Sequence, residues 1–215
     1  MTSLVNDEPY PDLLQQKGGS GFPYLVVLDA TGDVLATHSY DVPSSVEAFS
    51  DDLRAARDFQ ALRAKASAGD AAARVEVFLR RLDLGISFPE ASQEMAELRS
   101  LPEMTAEKAA AARRMLVDLE FEHILNNLPD STDQDELIGA AGVKVLAMKK
   151  AGRIPEGDTA MNFWGILMSY AEFKKDLDLL DATWADWKSR LDPANSRDKR
   201  LIEMVEARVA SAKGK

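Results

Sequence analysis

Residues 24–40 read Tyr24-Leu25-Val26-Val27-Leu28-Asp29-Ala30-Thr31-Gly32-Asp33-Val34-Leu35-Ala36-Thr37-His38-Ser39-Tyr40, and this stretch decides the fold class. Tyr24 to Leu28 is a continuous apolar run, rich in β-branched side chains and bounded by Pro23 and Asp29. That is the pattern of a strand buried on both faces. Asp29-Ala30-Thr31-Gly32-Asp33 supplies a turn, with Gly32 able to take positive φ. Val34 to Tyr40 then reads as the return strand of a hairpin. Downstream, Pro43-Ser44-Ser45 caps a helix that carries Val46, Phe49 and Leu53 on one face. Upstream lie a short apolar stub at Leu4-Val5 and a short helix over Pro11-Asp12-Leu13-Leu14-Gln15-Gln16-Lys17. Gly18-Gly19-Ser20-Gly21 breaks that helix.

After about residue 55 the β signal ends and amphipathic helices follow one another. Val75, Phe78, Leu79, Leu82 and Ile86 hold helical spacing, and Gly85 ends that helix. Ser87-Phe88-Pro89-Glu90 reads as a capping box with an early proline, leading into Ala91, Met95 and Leu98. Thr105 caps a long helix through Leu116, Leu119, Phe121, Ile124, Leu125 and Leu128. Ser131 and Gln134 read as a second capping box, before Ile138, Ala141, Val145 and Met148, and Gly152 closes that helix. Phe163, Trp164, Leu167 and Ala171 mark the next helix. Leu177, Leu180, Trp184, Trp187 and Leu191 mark the one after it. Asn195 caps the last, with Ile202, Val205 and Val209 on one side. Short loops between paired helices predict an antiparallel helical array, with no repeat of fixed period.

The composition narrows the chemistry. The chain has 215 residues, 46% of them hydrophobic, enough to bury one large core or two small ones. Its net charge of −10 repels phosphate backbones and anionic lipid, which argues against nucleic acid and membrane-surface partners. No apolar run reaches the length of a membrane helix, and the first residues lack a signal-peptide pattern. There is no cysteine, so disulfides, thiolate nucleophiles and cysteine metal sites are all absent. With His38 and His123 as its two histidines, the chain is not expected to hold a multi-histidine metal or any other cofactor.

Gly21-Phe22-Pro23-Tyr24-Leu25-Val26-Val27-Leu28-Asp29-Ala30-Thr31-Gly32-Asp33-Val34 resembles the thioredoxin family. The second half of that family runs strand, helix, loop, a glycine–apolar–proline segment, buried strand, D-x-x-G turn, edge strand and helix. Leu4-Val5-Asn6-Asp7 is similar to the end of the preceding strand, and Asp12 to Lys17 to the helix before the loop. The match covers roughly a quarter of the chain. The resemblance implies that Pro23 is a cis-proline. It implies that Gly21, Phe22 and Pro23 form a peptide-binding edge, with the Phe22 backbone pairing with bound peptide. It also implies a departure, because the family's first half, with its Cys-x-x-Cys helix, has no counterpart here. Three explanations stand open: Met1 is an internal start in a longer gene, another chain completes the half-fold, or the helical region covers the exposed edge. The helical portion is similar to tails fused to thioredoxin-like domains in some bacterial proteins, through Gly152-Arg153-Ile154-Pro155-Glu156-Gly157 and Phe163-Trp164.

Other motifs favour plain structural roles. Gly18-Gly19-Ser20-Gly21 lacks the Lys-Ser/Thr of a phosphate loop and precedes no helix. The acid-rich Pro129-Asp130-Ser131-Thr132-Asp133-Gln134-Asp135-Glu136 lacks the calcium-loop glycine and final glutamate, and acids suit a helix N-terminus. His38 and His123 read as packed or half-exposed structural histidines. Ser39 and Ser44 lack a nucleophile-elbow context. Trp164, Trp184 and Trp187 fall at core spacings. Lys149-Lys150 and Arg153 sit at a helix end, where cations suit the dipole.

The sequence thus predicts a partial thioredoxin-like α/β module over residues 1–55 and an all-α helical domain over residues 56–215, predominantly helical together. The expected function is redox-inactive protein or peptide binding, with self-association through an exposed sheet edge. Two alternatives are the C-terminal part of a longer thiol–disulfide oxidoreductase and a structural interaction protein acting through its helical array.

Overall fold

The computed structural model describes residues 25–38 and 45–214. The stub at Leu4-Val5, the helix over Pro11 to Lys17, the loop at Gly18 to Gly21 and the segment Ser39 to Ser44 lie outside the described residues. Within them the chain is predominantly helical, with one two-stranded sheet. The strands are β1 (Val26–Leu28) and β2 (Val34–Thr37). The helices are α1 (Val46–Ser67), α2 (Ala71–Asp83), α3 (Phe88–Leu98), α4 (Ala106–Asn126), α5 (Gln134–Lys150), α6 (Gly157–Phe173), α7 (Leu177–Lys188) and α8 (Ser196–Lys213). The chain divides into two compact units between Leu116 and Val117, whereas the β signal of the sequence ends near residue 55.

In the first unit, β1 and β2 pair antiparallel, with Val26 opposite Thr37 and Val27 opposite Ala36. The register is irregular between Val27 and Leu28, the mark of a bulge. Gly32 takes φ 87° in the turn. Leu35 and Ala36 of β2 pack on Ala56 and Phe59 of α1, with Val27, Leu62, Val77 and Leu84 around them. The N-terminus of α1 is held by the Ser45 side chain, which accepts from the Ala48 N–H at 3.1 Å. Val75, Phe78 and Leu82 of α2 are buried, as their spacing predicts. Past its end, Gly85 at φ 80° donates to the Leu82 carbonyl and Ile86 donates to Arg81, the paired bonds of a Schellman ending.

Two sequence expectations fail in this unit. The run expected to be buried on both faces is a three-residue strand that follows exposed Leu25 and ends on exposed Leu28. One helix against a two-stranded hairpin covers less than the two helical layers that bury a parallel strand. The second failure is on α1, where Val46, Phe49 and Leu53 remain 82%, 39% and 47% exposed, and Ala56 and Phe59 carry the burial instead. A 22-residue helix is about 33 Å long, while a four-residue strand spans roughly 13 Å. The hairpin therefore covers the middle of α1 and leaves its first two turns largely bare.

The second unit is built from helices that pack as neighbours in space when they are neighbours in sequence. Its core joins Phe121, Val145, Met148, Phe163, Trp164, Leu167, Leu180, Trp184, Trp187, Val205 and Val209. The aromatic rings form a chain: Phe163 meets Trp164 edge-on at 5.5 Å, Trp164 stacks with Trp187 at 6.5 Å, and Trp187 meets Trp184 edge-on at 5.9 Å. Helices α5 and α6 approach closely at Gly142, where an added Cβ would lie 2.2 Å from the Tyr170 ring. Asn195 caps α8 through the Arg197 N–H at 2.9 Å, as predicted.

Both predicted capping boxes are corrected. Ser87 sits at the N-cap of α3 but makes no side-chain capping bond, and Glu90 pairs with Arg81. At α5 the N-cap is Asp133, which accepts from the Asp135 N–H at 2.9 Å. Ser131 accepts from the Asp133 N–H and donates to Glu136. At α5 a better-placed acceptor takes the role that spacing alone assigned to Ser131, whereas at α3 no side chain caps the helix and Arg81 claims the glutamate.

Candidate functional site

Gly21, Phe22 and Pro23, the residues to which the resemblance assigns peptide binding, lie outside the described residues, as does the bond that would be cis. The described chain begins at Leu25, whose carbonyl accepts from the His38 N–H at 2.9 Å. The site region therefore consists of the hairpin, its turn and the start of α1.

The turn is locked by one carboxylate. Asp29 Oδ1 accepts from the Thr31 N–H at 2.9 Å, the Thr31 hydroxyl at 2.6 Å and the Asp33 N–H at 2.9 Å. Arg63 of α1 then donates Nη1 to Asp29 Oδ2 at 2.8 Å and Nη2 to Asp33 at 3.1 Å. The Thr31 hydroxyl, followed by the Asp33 backbone N–H, holds the Asp29 carboxyl well below the usual carboxylate range. A carboxylate so fully committed is an architectural anion that ties the turn to α1, unsuited to accepting a proton in catalysis.

His38, just past β2, reaches α1. Its Nδ1 lies 2.7 Å from Asp52 Oδ2, and its ring stacks on Phe49 at 5.1 Å. The side chain is 8% exposed, and Nε2 is buried with no hydrogen-bond partner among the described residues. A histidine–carboxylate pair resembles half of a hydrolytic triad, but a nucleophile is required beside Nε2. The two described serines on the adjoining part of α1 are occupied: Ser45 caps the helix, and Ser50 donates to the Val46 carbonyl at 2.7 Å. His38 joins hairpin to helix, in keeping with the structural reading of the sequence.

Several large apolar side chains of β1 and of the first turns of α1 are exposed. Leu25, Leu28, Val46, Phe49 and Leu53 are exposed large hydrophobic residues of one unit. Among the described residues β1 pairs with β2 alone, and its other edge meets no described strand.

The remaining sequence candidates are accounted for by packing. Trp164, Trp184 and Trp187 are buried in the core of the second unit. Lys149 pairs with Asp186 at 2.6 Å and lies over the Trp164 ring, and Arg153 pairs with Glu120. His123 is partly buried and meets Asn127. Among the described residues no group of three or more histidine and carboxylate side chains is placed to hold a metal ion. No described helix is long and apolar enough to cross a membrane.

Sequence reading missed Arg63 and Asp52, the partners of the turn and of His38. Both lie on a helix whose visible signal was its apolar stripe, and pairings 34 and 14 residues apart leave no local trace. No protein-family model, curated protein or solved structure matches the chain.

Proposed function

We propose that this chain is a redox-inactive, thioredoxin-like interaction module that binds an extended segment of a protein or peptide. The observation that carries the reading is the exposure of large apolar side chains on β1 and on the first turns of α1. Among the described residues one edge of β1 has no ladder partner, Leu25 and Leu28 are exposed, and the first turns of α1 present Val46, Phe49 and Leu53. An extended apolar segment added to that edge would satisfy the backbone groups of β1, and its alternate side chains would cover the exposed stripe. The order β1, β2, α1 is the order the resemblance requires, and Phe22-Pro23 stands immediately before it in sequence. The absence of cysteine removes dithiol–disulfide chemistry from this chain.

The test pairs binding with activity. An array of extended ten-residue peptides, tiled from unfolded model proteins, is probed with the wild type and with a Phe49→Glu, Leu53→Glu double variant. The reading expects binding to segments of alternating apolar pattern and a loss of at least about tenfold in the variant. It also expects slowed hydrogen exchange at Val26 to Leu28 on binding, and no insulin reduction above background. Binding that ignores the double substitution, or clear insulin turnover, refutes it. A stable dimer that protects the same amides without peptide would identify the occupant as a second copy.

A further inference from the structure

One histidine meets both elements that carry the exposed apolar side chains. The His38 N–H donates to the Leu25 carbonyl at 2.9 Å, so its backbone holds the residue that leads into β1. Its ring stacks on Phe49 of α1, with centroids 5.1 Å apart and planes 24° from parallel. Its Nδ1 lies 2.7 Å from Asp52 Oδ2. Phe49 and Asp52 are three residues apart, which puts them on one face of the helix. The imidazole is therefore placed by Phe49 on its face and by Asp52 on its edge.

The two stacked rings differ in exposure. The His38 side chain is 8% exposed, whereas Phe49 is 39% exposed. A buried imidazole thus supports a phenyl ring that solvent still reaches. Nε2 is buried and makes no hydrogen bond among the described residues, so Asp52 is the described polar group that holds the ring. A phenylalanine on an open helix surface samples several rotamers and gives up that freedom when a partner binds it. Stacked on a fixed imidazole, the Phe49 ring has less freedom left to lose, and binding on it costs less. The hairpin keeps its own core on α1 through Leu35, Ala36, Ala56 and Phe59, none of which needs the imidazole. Placement of Phe49 and stability of the unit are therefore separable.

We infer that His38 is a positioning residue for peptide binding: it holds the Phe49 ring ready for an incoming apolar side chain, at a fixed distance from Leu25 of the hairpin. The inference rests on the peptide-binding reading above. His38 itself touches no peptide in this account. It acts through Phe49, and Asp52 acts through His38.

The test is titration of the full chain with a capped ten-residue peptide of alternating valine and serine, followed by amide and aromatic chemical shifts. His38→Asn keeps a side-chain N–H near the position of Nδ1 for Asp52 and removes the ring. It is expected to move the Phe49 ring resonances in the free protein and to weaken the peptide about three- to tenfold. Hydrogen exchange at Ala56 and Phe59 should stay at the wild-type rate, a separation that a merely structural role would not give. A His38→Phe, Asp52→Leu double variant restores a stacked ring without the polar pair, and should bind within about twofold of the wild type. Full affinity in His38→Asn, faster exchange at Ala56 and Phe59 that accounts for its loss, or a double variant as weak as His38→Asn overturns the inference. A wild type that does not bind the peptide refutes the docking reading itself, whereas binding that ignores His38→Asn refutes only the role given to His38.

Discussion

Replacing Gly142 by alanine tests the packing of the second unit most directly. A Cβ at this position would lie 2.2 Å from Tyr170 Cγ and Cδ2 and 2.4 Å from Tyr170 Cβ. Carbon atoms rest at roughly 3.5–4.0 Å, so the overlap exceeds an ångström. Turning the Tyr170 side chain about its Cα–Cβ bond relieves the first two contacts and leaves the third, because Cβ is fixed to the backbone. Helices α5 and α6 must therefore separate. Overpacking of a well-filled core costs about 1–3 kcal/mol, and this geometry belongs at the upper end. Alanine returns about 1 kcal/mol through its better helix propensity. The expected net loss is about 2 kcal/mol, a fall in Tm of roughly 8–16 °C for a unit of this size. All three tryptophans, Trp164, Trp184 and Trp187, lie in the second unit, so their fluorescence follows its unfolding without contribution from the first. Gly165→Ala is the control: its Cβ meets nothing within 4 Å, and the variant should gain about 1 kcal/mol. If Gly142→Ala proves as stable as the wild type, the close approach of α5 to α6 is wrong.

The same fluorescence assay checks three further expectations. Thr183 is fully buried in α7 with an unpartnered hydroxyl, so Thr183→Val should stabilise by about 1 kcal/mol; a loss would show that the hydroxyl has a partner. Lys175 follows α6 at φ 54° and closes it with a bond to the Glu172 carbonyl, so Lys175→Gly should raise stability by about 1 kcal/mol by relieving left-handed strain. Asp118 has its carboxyl raised above the usual range, by burial first and then by Glu122 and Glu156. A raised carboxylate destabilises the folded state while charged, and the cost is relieved as pH falls through its folded pKa. Asp118→Asn should therefore stabilise the second unit at neutral pH, and the advantage should fade in mild acid; an advantage independent of pH would show that charge is not the cause.

Much of the helical architecture was legible because its signals are local. Gly85 ends α2 and Gly152 ends α5, because each takes the positive φ that a Schellman ending needs. Thr105 and Asn195 hold helix starts through hydroxyl and amide oxygens only a few residues from the N–H groups they receive. The spacing of Phe163, Trp164, Leu167 and Ala171 is the burial pattern found in α6. The misreadings arise where a distant group intervened. Ser87 and Glu90 have the spacing of a capping box, but Arg81, from the preceding helix, claims the glutamate. Val46, Phe49 and Leu53 have the spacing of a buried face, but the described hairpin is too short to cover it.

The order of hairpin and helices, most helix ends and the absence of thiol chemistry were readable from the residues, because these depend on backbone preference, side-chain period and composition. Only the packed structure settles which apolar faces are covered, how Arg63 ties the turn to α1, and how Arg81 of α2 pairs with Glu90 and Glu94 of α3. Coverage and ion pairing depend on the distance between elements, and that distance is set by packing, on which sequence spacing is silent.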